Sequence, residues 1–236
     1  MQIYDHTKIT TRDDRGNEGM VSSGSKHASE AGASILREGG NAIDAAVATS
    51  LALSVSATPF SGIGGGGFMM IHMAEQNKNV MIDYRENAPQ LATGNLFDLD
   101  SKNNVLDEQN HLGEKAAAIP GTFAGMSMAL EQFGTMKLSQ VAKRAIELGK
   151  NGFEITPFLD WVMSTDSDLA STKFKRSEEA ASIWLKSDGS TYKTGETKKN
   201  IAMAETIERV SQNGIQEFYE GFVAENAEKH MVANGG

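Results

Sequence analysis

The residues best suited to chemistry in this chain are an arginine and a glutamate, Arg85 and Glu86, which follow a glycine-dense loop and an apolar hairpin. The stretch runs GIGGGGFMMIHMAEQNKNVMIDYRENAP from Gly62 to Pro89, and five of the six residues from Gly62 to Gly67 are glycine. A guanidinium presents a planar fork of donors that matches a carboxylate with two parallel, charge-assisted hydrogen bonds. The same arginine could instead serve a structural ion pair with Asp83 or Glu86, as most charged neighbours do. Gly62, Gly64 and Gly67 also satisfy G-x-G-x-x-G, but that dinucleotide fingerprint needs a strand before the glycines and a helix after them. Here Thr58-Pro59-Phe60 precedes them and Phe68-Met69-Met70-Ile71-His72-Met73, a strand by composition, follows. The nucleotide reading is rejected, and without G-K-[ST] there is no phosphate loop. Glycines at this density mark backbone at positive φ or pressed against another backbone or a ligand. The sequence leaves tight core packing and the lining of a site equally open.

Other chemistries are poorly supported. With no cysteine there is no disulfide, thiolate metal site or cysteine nucleophile. His6, His27, His72, His111 and His230 are scattered and form no H-E-x-x-H, so neither a metal nor a cofactor is expected. No serine sits in a G-x-S-x-G elbow. The 22 basic and 31 acidic side chains give a net charge of −9, which argues against nucleic acid or an anionic membrane as a partner. No apolar run approaches a membrane span, and the polar start MQIYDHTKITTRDDRGNEG shows no signal peptide. A soluble protein is expected, cytoplasmic or exported with its signal removed.

The elements that must position Arg85 are readable from periodicity. Ser25 caps a helix to about Glu38, with Ala28, Ala31, Gly32, Ile35 and Leu36 on one face and Gly39-Gly40 ending it. Asn41 starts a second helix with Asp44 three residues on, as in a capping box, so Asp44 is read as a helix-start residue rather than a ligand. That helix, Ala42 to about Leu53, is apolar nearly all round and is expected to be buried on both sides, packed closely against a sheet. Phe68–Met73 and Val80–Tyr84 form a hairpin across the polar turn 75–79. Period two places Met81, Asp83 and Arg85 on one face, and Val80, Ile82 and Tyr84 on the other.

Beyond the hairpin, residues 90–118 read as loop. Helices follow from Pro120-Gly121-Thr122 to Phe133, from Ser139 to about Asn151-Gly152, and from Thr156-Pro157. The charged, turn-rich segment 172–197 is expected to face solvent. Helices from Asn200 to Val210 and Val223 to Met231 complete the pattern. Trp161, Trp184 and the methionines of the hairpin are read as core or interface. The final Ala233-Asn234-Gly235-Gly236 reads as a helix C-cap, after which further structure is expected. Two or three strands cannot bury these faces alone, so a companion polypeptide or a further segment is implied. The division is a polar arm over 1–18 and a single domain over 19–236 that is incomplete by itself.

Ordered blocks along the chain resemble the γ-glutamyltransferase family. They are Gly19-Met20-Val21-Ser22-Ser23, Ala28-Ser29-Glu30-Ala31-Gly32, Gly39-Gly40-Asn41-Ala42-Ile43-Asp44-Ala45-Ala46-Val47-Ala48-Thr49 and Ser61-Gly62-Ile63-Gly64-Gly65-Gly66-Gly67-Phe68. Asp83-Tyr84-Arg85-Glu86-Asn87-Ala88-Pro89, Pro120-Gly121-Thr122 and Phe218-Tyr219-Glu220-Gly221 continue the series. One departure is Ser25-Lys26-His27, where the family usually has His-Pro before its first helix.

The resemblance implies an N-terminal-nucleophile hydrolase fold, α/β in class, a four-layer αββα sandwich of which this chain supplies only part. It implies a precursor that cuts itself into a heterodimer whose smaller subunit begins with the catalytic threonine. By the same resemblance no catalytic residue lies in this chain, and Arg85 binds the α-carboxylate of a γ-glutamyl substrate such as glutathione. Two alternatives remain open at this point. One is a related amidase acting on poly-γ-glutamate or glutaryl-cephalosporin side chains; the other is a non-catalytic fragment or binding module.

Overall fold

The structure, a computed structural model, describes residues 15–165 and 173–236. Residues 1–14 of the expected polar arm and the first residue of the turn-rich segment at 172 lie outside the described residues. The element order is α1 (Lys26–Arg37), α2 (Ala42–Ser56), β1 (Phe68–Met73), β2 (Lys78–Asp83), α3 (Thr122–Phe133), α4 (Leu138–Val141), α5 (Lys143–Asn151), β3 (Phe153–Glu154), α6 (Pro157–Thr165), α7 (Glu178–Trp184), β4 (Thr197–Lys198), α8 (Ile201–Asn213), α9 (Gln216–Tyr219) and α10 (Phe222–Asn234).

Helix α2 is the axis of the core. Val47, Ala48, Leu51, Ala52 and Val55 are buried, as are Ala28, Ala31 and Ile35 of α1, Ala145 of α5, and Ile207 and Val210 of α8. The small alanines let helices approach, so α2 packs mainly against α1, α5 and α3. The expected burial of α2 is therefore present, but helices surround it where a sheet was expected. Its N-terminus carries the expected capping box. Asn41 Oδ1 accepts from the N–H groups of Ile43 and Asp44 at 2.9 and 3.1 Å, and Asp44 Oδ2 accepts from Asn41 N–H at 2.8 Å.

Asp44 does more than cap. It is fully buried, and its carboxylate also accepts from Thr135 N–H at 3.0 Å, the Thr135 hydroxyl at 2.6 Å and Met136 N–H at 3.1 Å. These bonds tie the start of α2 to the turn that follows α3. Burial pushes this carboxyl up, but the Thr135 hydroxyl and the amides of Asn41, Met136 and Thr135 outweigh burial and hold it below its ordinary value.

Strands β1 and β2 pair antiparallel, with Met70 opposite Met81 and Ile71 opposite Val80. The alternation is as expected. Ile71 and Ile82 are buried against Ala129 of α3, with Val80 and Tyr84 packed beside them, while Phe68, Met70 and Met81 face outward and are exposed. Strand β2 starts two residues earlier than the sequence suggests, because Lys78 pairs with Met73 immediately after a tight turn with Asn77 at φ 46°. The described residues contain this two-stranded sheet and the short β3–β4 pair. The outer face of this two-stranded sheet is apolar and exposed.

The segment after 172 corrects an expectation. Phe174 and Leu185 are buried, and Phe174 stacks on Trp184 at 5.0 Å between ring centroids. Lys198, just past that segment, is also fully buried. Its ammonium donates to the carbonyls of Ile183 and Lys199 and lies 5.3 and 5.4 Å from the ring centres of Trp184 and Tyr192. Burial pulls its pKa down to about 8. The flanking charges hid a few apolar anchors.

Asp160 on α6 fastens this region to the rest. Its carboxylate accepts from Thr194 N–H and the Thr194 hydroxyl, each at 2.9 Å, from the Ser164 hydroxyl at 2.9 Å, and from Lys193 at 3.3 Å. Burial raises this group, but the hydrogen bonds from Thr194, Ser164 and Lys193 together lower it to about 2. A lowered folded-state pKa gives stability that is present above the usual 3.8 and lost as pH falls through about 2. Asp160→Asn is therefore expected to reduce the unfolding free energy at pH 7 and to change it little at pH 2, as acid titrations followed by circular dichroism would record.

Candidate functional site

The hairpin delivers Arg85 to one end of a cleft. Past β2, Tyr84 still exchanges both backbone hydrogen bonds with Gly67, its N–H to the Gly67 carbonyl at 2.9 Å and its carbonyl from Gly67 N–H at 3.3 Å. Asp83 Oδ1 then accepts from Arg85 N–H at 3.0 Å, which turns the chain out of the ladder. Asp83 thus steers the Arg85 backbone, and the guanidinium pairs with Glu86, Nη2 to Oε2 at 3.1 Å. Of the two structural partners open in the sequence, the ion pair is with Glu86.

That pair leaves the arginine fork largely available. Arg85 is 58% exposed, and its side chain makes no hydrogen bond among the described residues. Glu86 Oε2 is buried and has no hydrogen-bond partner of good geometry; the contact with Arg85 is one of charge. The site therefore holds a cation with most of its donors unused, beside a carboxylate that fixes its position.

The surrounding wall is built from three segments far apart in sequence. The Asn87–Ile119 bridge, with bonds of 3.2 and 2.8 Å, returns the chain to the hairpin after the long loop. It sets the start of α3 against the glycine loop. Gly65 O accepts from Gly121 N–H at 2.9 Å, Thr122 N–H at 3.0 Å and the Thr122 hydroxyl at 2.8 Å. Tyr219 locks the same corner, its hydroxyl donating to Pro120 O at 2.9 Å and accepting from Ala124 N–H at 3.2 Å. Burial raises the Tyr219 phenol. The blocks around Gly62–Gly67, Tyr84–Asn87, Pro120–Thr122 and Phe218–Gly221 thus meet at one place. Sequence reasoning singled out Arg85 there but assigned nothing to Thr122 or Tyr219, whose partners lie about 60 and 100 residues away.

The glycines divide between the two roles the sequence left open. A Cβ on Gly66 would overlap the carbonyl oxygen of Tyr84 and come within 2.9 Å of Glu86 N, so Gly66 serves backbone-on-backbone packing. Gly125 does the same for the Tyr84 ring from α3. Gly64 has open space where a Cβ would stand, and it lines the cleft, which Gly66 also borders. Gly66→Ala is expected to destabilise by about 2 kcal/mol, the usual cost of forcing atoms into a filled space. Gly64→Ala is expected to leave the melting temperature nearly unchanged. Paired thermal melts check both.

The cleft has a volume of about 630 Å³ and is lined by Arg85, Glu86, Gly64, Ser61 and Phe60, with Met203 of α8 also on its wall. Among the described residues no cluster of three or more His, Asp or Glu is placed to hold a metal. No described helix is long and apolar enough to cross a membrane. The arrangement can hold a carboxylate at one end and extend a chain of atoms along a neutral wall.

The chain superposes on solved N-terminal-nucleophile hydrolases, among them the transpeptidase CapD of Bacillus anthracis at a TM-score of 0.70 and 29% identity, over 91% of this chain and 65% of that one, and it shares their fold class. The chain belongs to the gamma-glutamyltranspeptidase family, whose model matches residues 28–236. It is 38% identical over 222 residues to the glutathione hydrolase proenzyme of Escherichia coli K12, covering 94% of this chain and 37% of that protein. It is 34% identical over 227 residues to the acylase ACY 1 proenzyme of Pseudomonas sp. SE83, covering 94% of this chain and 39% of the relative. Helicobacter pylori gamma-glutamyltranspeptidase superposes with a TM-score of 0.88 at 39% identity, over 95% of this chain and 62% of that one. The chain thus spans well under half the length of these curated relatives.

Proposed function

We propose that this chain is the N-terminal part of the large subunit of an enzyme that transfers or hydrolyses γ-glutamyl groups, with glutathione and related γ-glutamyl amides as donors. The observation that carries the reading is the guanidinium of Arg85, held by Glu86 at the end of a cleft and left with donors for a carboxylate. Arg85 is the substrate-binding residue. Its fork takes the α-carboxylate of the glutamyl group, and fixing that end aligns the γ-carbonyl with the nucleophile.

The nucleophile belongs to a companion subunit that begins with threonine. Its free α-amine accepts the hydroxyl proton as the oxygen attacks the γ-carbonyl. Collapse of the tetrahedral intermediate breaks the C–N bond, the amine leaves with a proton, and a γ-glutamyl ester remains on the threonine. Water or an acceptor amine then attacks that ester. In this division of labour the present chain binds and orients, while the companion chain performs the bond exchange. The exposed outer face of the hairpin, Phe68, Met70 and Met81, supports a companion that completes the sheet.

A second reading is retained because of the 34% identity to an acylase: an amidase of the same scaffold acting on a glutaryl side chain. Turnover of γ-glutamyl anilide against glutaryl anilide by the full-length, processed protein separates the two. The same preparation, examined by intact-mass spectrometry and N-terminal sequencing, is expected to show a second chain beginning with threonine. A single unprocessed species without amidase activity would overturn the proposal.

A further inference from the structure

The cleft does not stop at its charged end. Phe60, which lines the same cleft as Arg85, stacks on Phe158 of α6 with ring centroids 5.5 Å apart and planes inclined by 24°. Phe158 in turn stacks on Trp161 at 6.1 Å and 26°. Residues 158 and 161 are one helical step of three apart, so both rings rise from the same face of α6. The three rings form a ladder that begins at the cleft-lining Phe60, and they are 60, 54 and 48% exposed.

Charge is distributed unequally along this path. Arg85 and Glu86 are its charged residues, while the lining residues Gly64, Ser61, Thr58 and Phe60 carry no ionisable side chain. A volume of about 630 Å³ is of the size that holds a whole drug-like ligand, larger than a five-carbon acyl group requires. An exposed stack of aromatic faces continuing such a cleft complements a flat, uncharged group attached to whatever Arg85 anchors.

We propose that Phe60, Phe158 and Trp161 form a subsite for the amine half of the substrate, and that this subsite selects aromatic amines, whether leaving or incoming. The proposal rests on the reading of Arg85 as the glutamyl carboxylate site. With the carboxylate held at Arg85, the scissile amide lies along the neutral wall and the amine substituent reaches the ladder. No covalent role is assigned to the three rings; they set which amide is bound productively.

The test uses the assembled two-subunit enzyme and compares γ-glutamyl anilide with γ-glutamyl methylamide. Phe158→Ala is expected to lower the anilide-to-methylamide ratio of kcat/KM about tenfold, the effect of removing one aromatic partner and its buried area. Phe158→Tyr is expected to keep the ratio, because the aromatic face remains. An unchanged ratio in Phe158→Ala and in Phe60→Ala would overturn the subsite. So would dissociation of the companion subunit in these variants on gel filtration, which would make the ladder a subunit interface.

Saturation-transfer NMR with phenylalaninamide keeps this test separate from the Arg85 reading. If the native enzyme hydrolyses neither amide, the glutamyl reading has failed. Ring contact with phenylalaninamide that disappears in Phe158→Ala would then still support the ladder. Absence of contact in the native enzyme would overturn it.

Discussion

Asp44→Ala is expected to lower the unfolding free energy by about 4 kcal/mol, the largest stability effect of any single side chain described above. The carboxylate is fully buried and receives four donors: the amides of Asn41, Thr135 and Met136 and the Thr135 hydroxyl. Truncation leaves these donors facing an apolar void, each costing about 1–3 kcal/mol when unsatisfied, with partial relief from relaxation. Asp44→Asn keeps one acceptor oxygen but turns an NH2 group toward N–H donors, so an intermediate loss of about 2 kcal/mol is expected. The sign with pH follows from the lowered pKa: the contribution is present above 3.8 and fades as pH falls through the lower folded-state value. Urea unfolding of the full-length protein at neutral pH measures all three forms. A loss below about 1 kcal/mol in Asp44→Ala would show that the turn after α3 does not depend on this residue.

Arg85→Ala is expected to raise the barrier for γ-glutamyl turnover by about 2–5 kcal/mol, a fall in kcat/KM of roughly thirtyfold to several thousandfold. The range is that for removing one partner of a desolvated charge pair. Here the loss falls on the substrate's α-carboxylate, which gives up the two parallel bonds of the guanidinium fork. Arg85→Lys is expected to recover only part of the loss. An ammonium preserves the charge but cannot make two parallel bonds to one carboxylate. Arg85→Ala is also expected to lower stability, because Glu86, with Oε2 buried and lacking a hydrogen bond, loses its ion-pair partner, and Arg85→Lys, which keeps the charge, is expected to lower it less.

Features set by neighbours in sequence could be read before folding was known. The Asn41–Asp44 box depends on three consecutive peptide steps, and it is present. The alternation that buries Ile71 and Ile82 and exposes Met70 and Met81 follows from strand geometry alone. Burial of α2 followed from its lack of a polar face. What surrounds α2 did not follow, because an apolar surface does not specify whether a helix or a sheet covers it.

Long-range partners were likewise hidden. Asp44 receives Thr135 from 91 residues away, and Tyr219 reaches Pro120 across 99. Lys198 sits in a run of charged residues and turns inward because two carbonyls and two aromatic faces accept its ammonium. At the site, strand periodicity grouped Arg85 with Asp83. The pairing goes to Glu86 because the Asp83 carboxylate is engaged by the Arg85 amide, which ends the strand's alternation. The glycine loop had two readings, and both hold: Gly66 packs on Tyr84 and also borders the cleft that Gly64 lines.

The most direct measurement of the carboxylate role compares γ-glutamyl anilide with 4-aminobutanoyl anilide, the same amide without its α-carboxylate and with its amine retained at the same carbon. Both are assayed with the assembled enzyme carrying Arg85 or Arg85→Ala. Arg85→Ala is expected to lower kcat/KM for γ-glutamyl anilide by about thirtyfold or more and to leave the weak turnover of the decarboxylated analogue nearly unchanged. An equal loss on both substrates would contradict the carboxylate role and return Arg85 to a structural pair with Glu86.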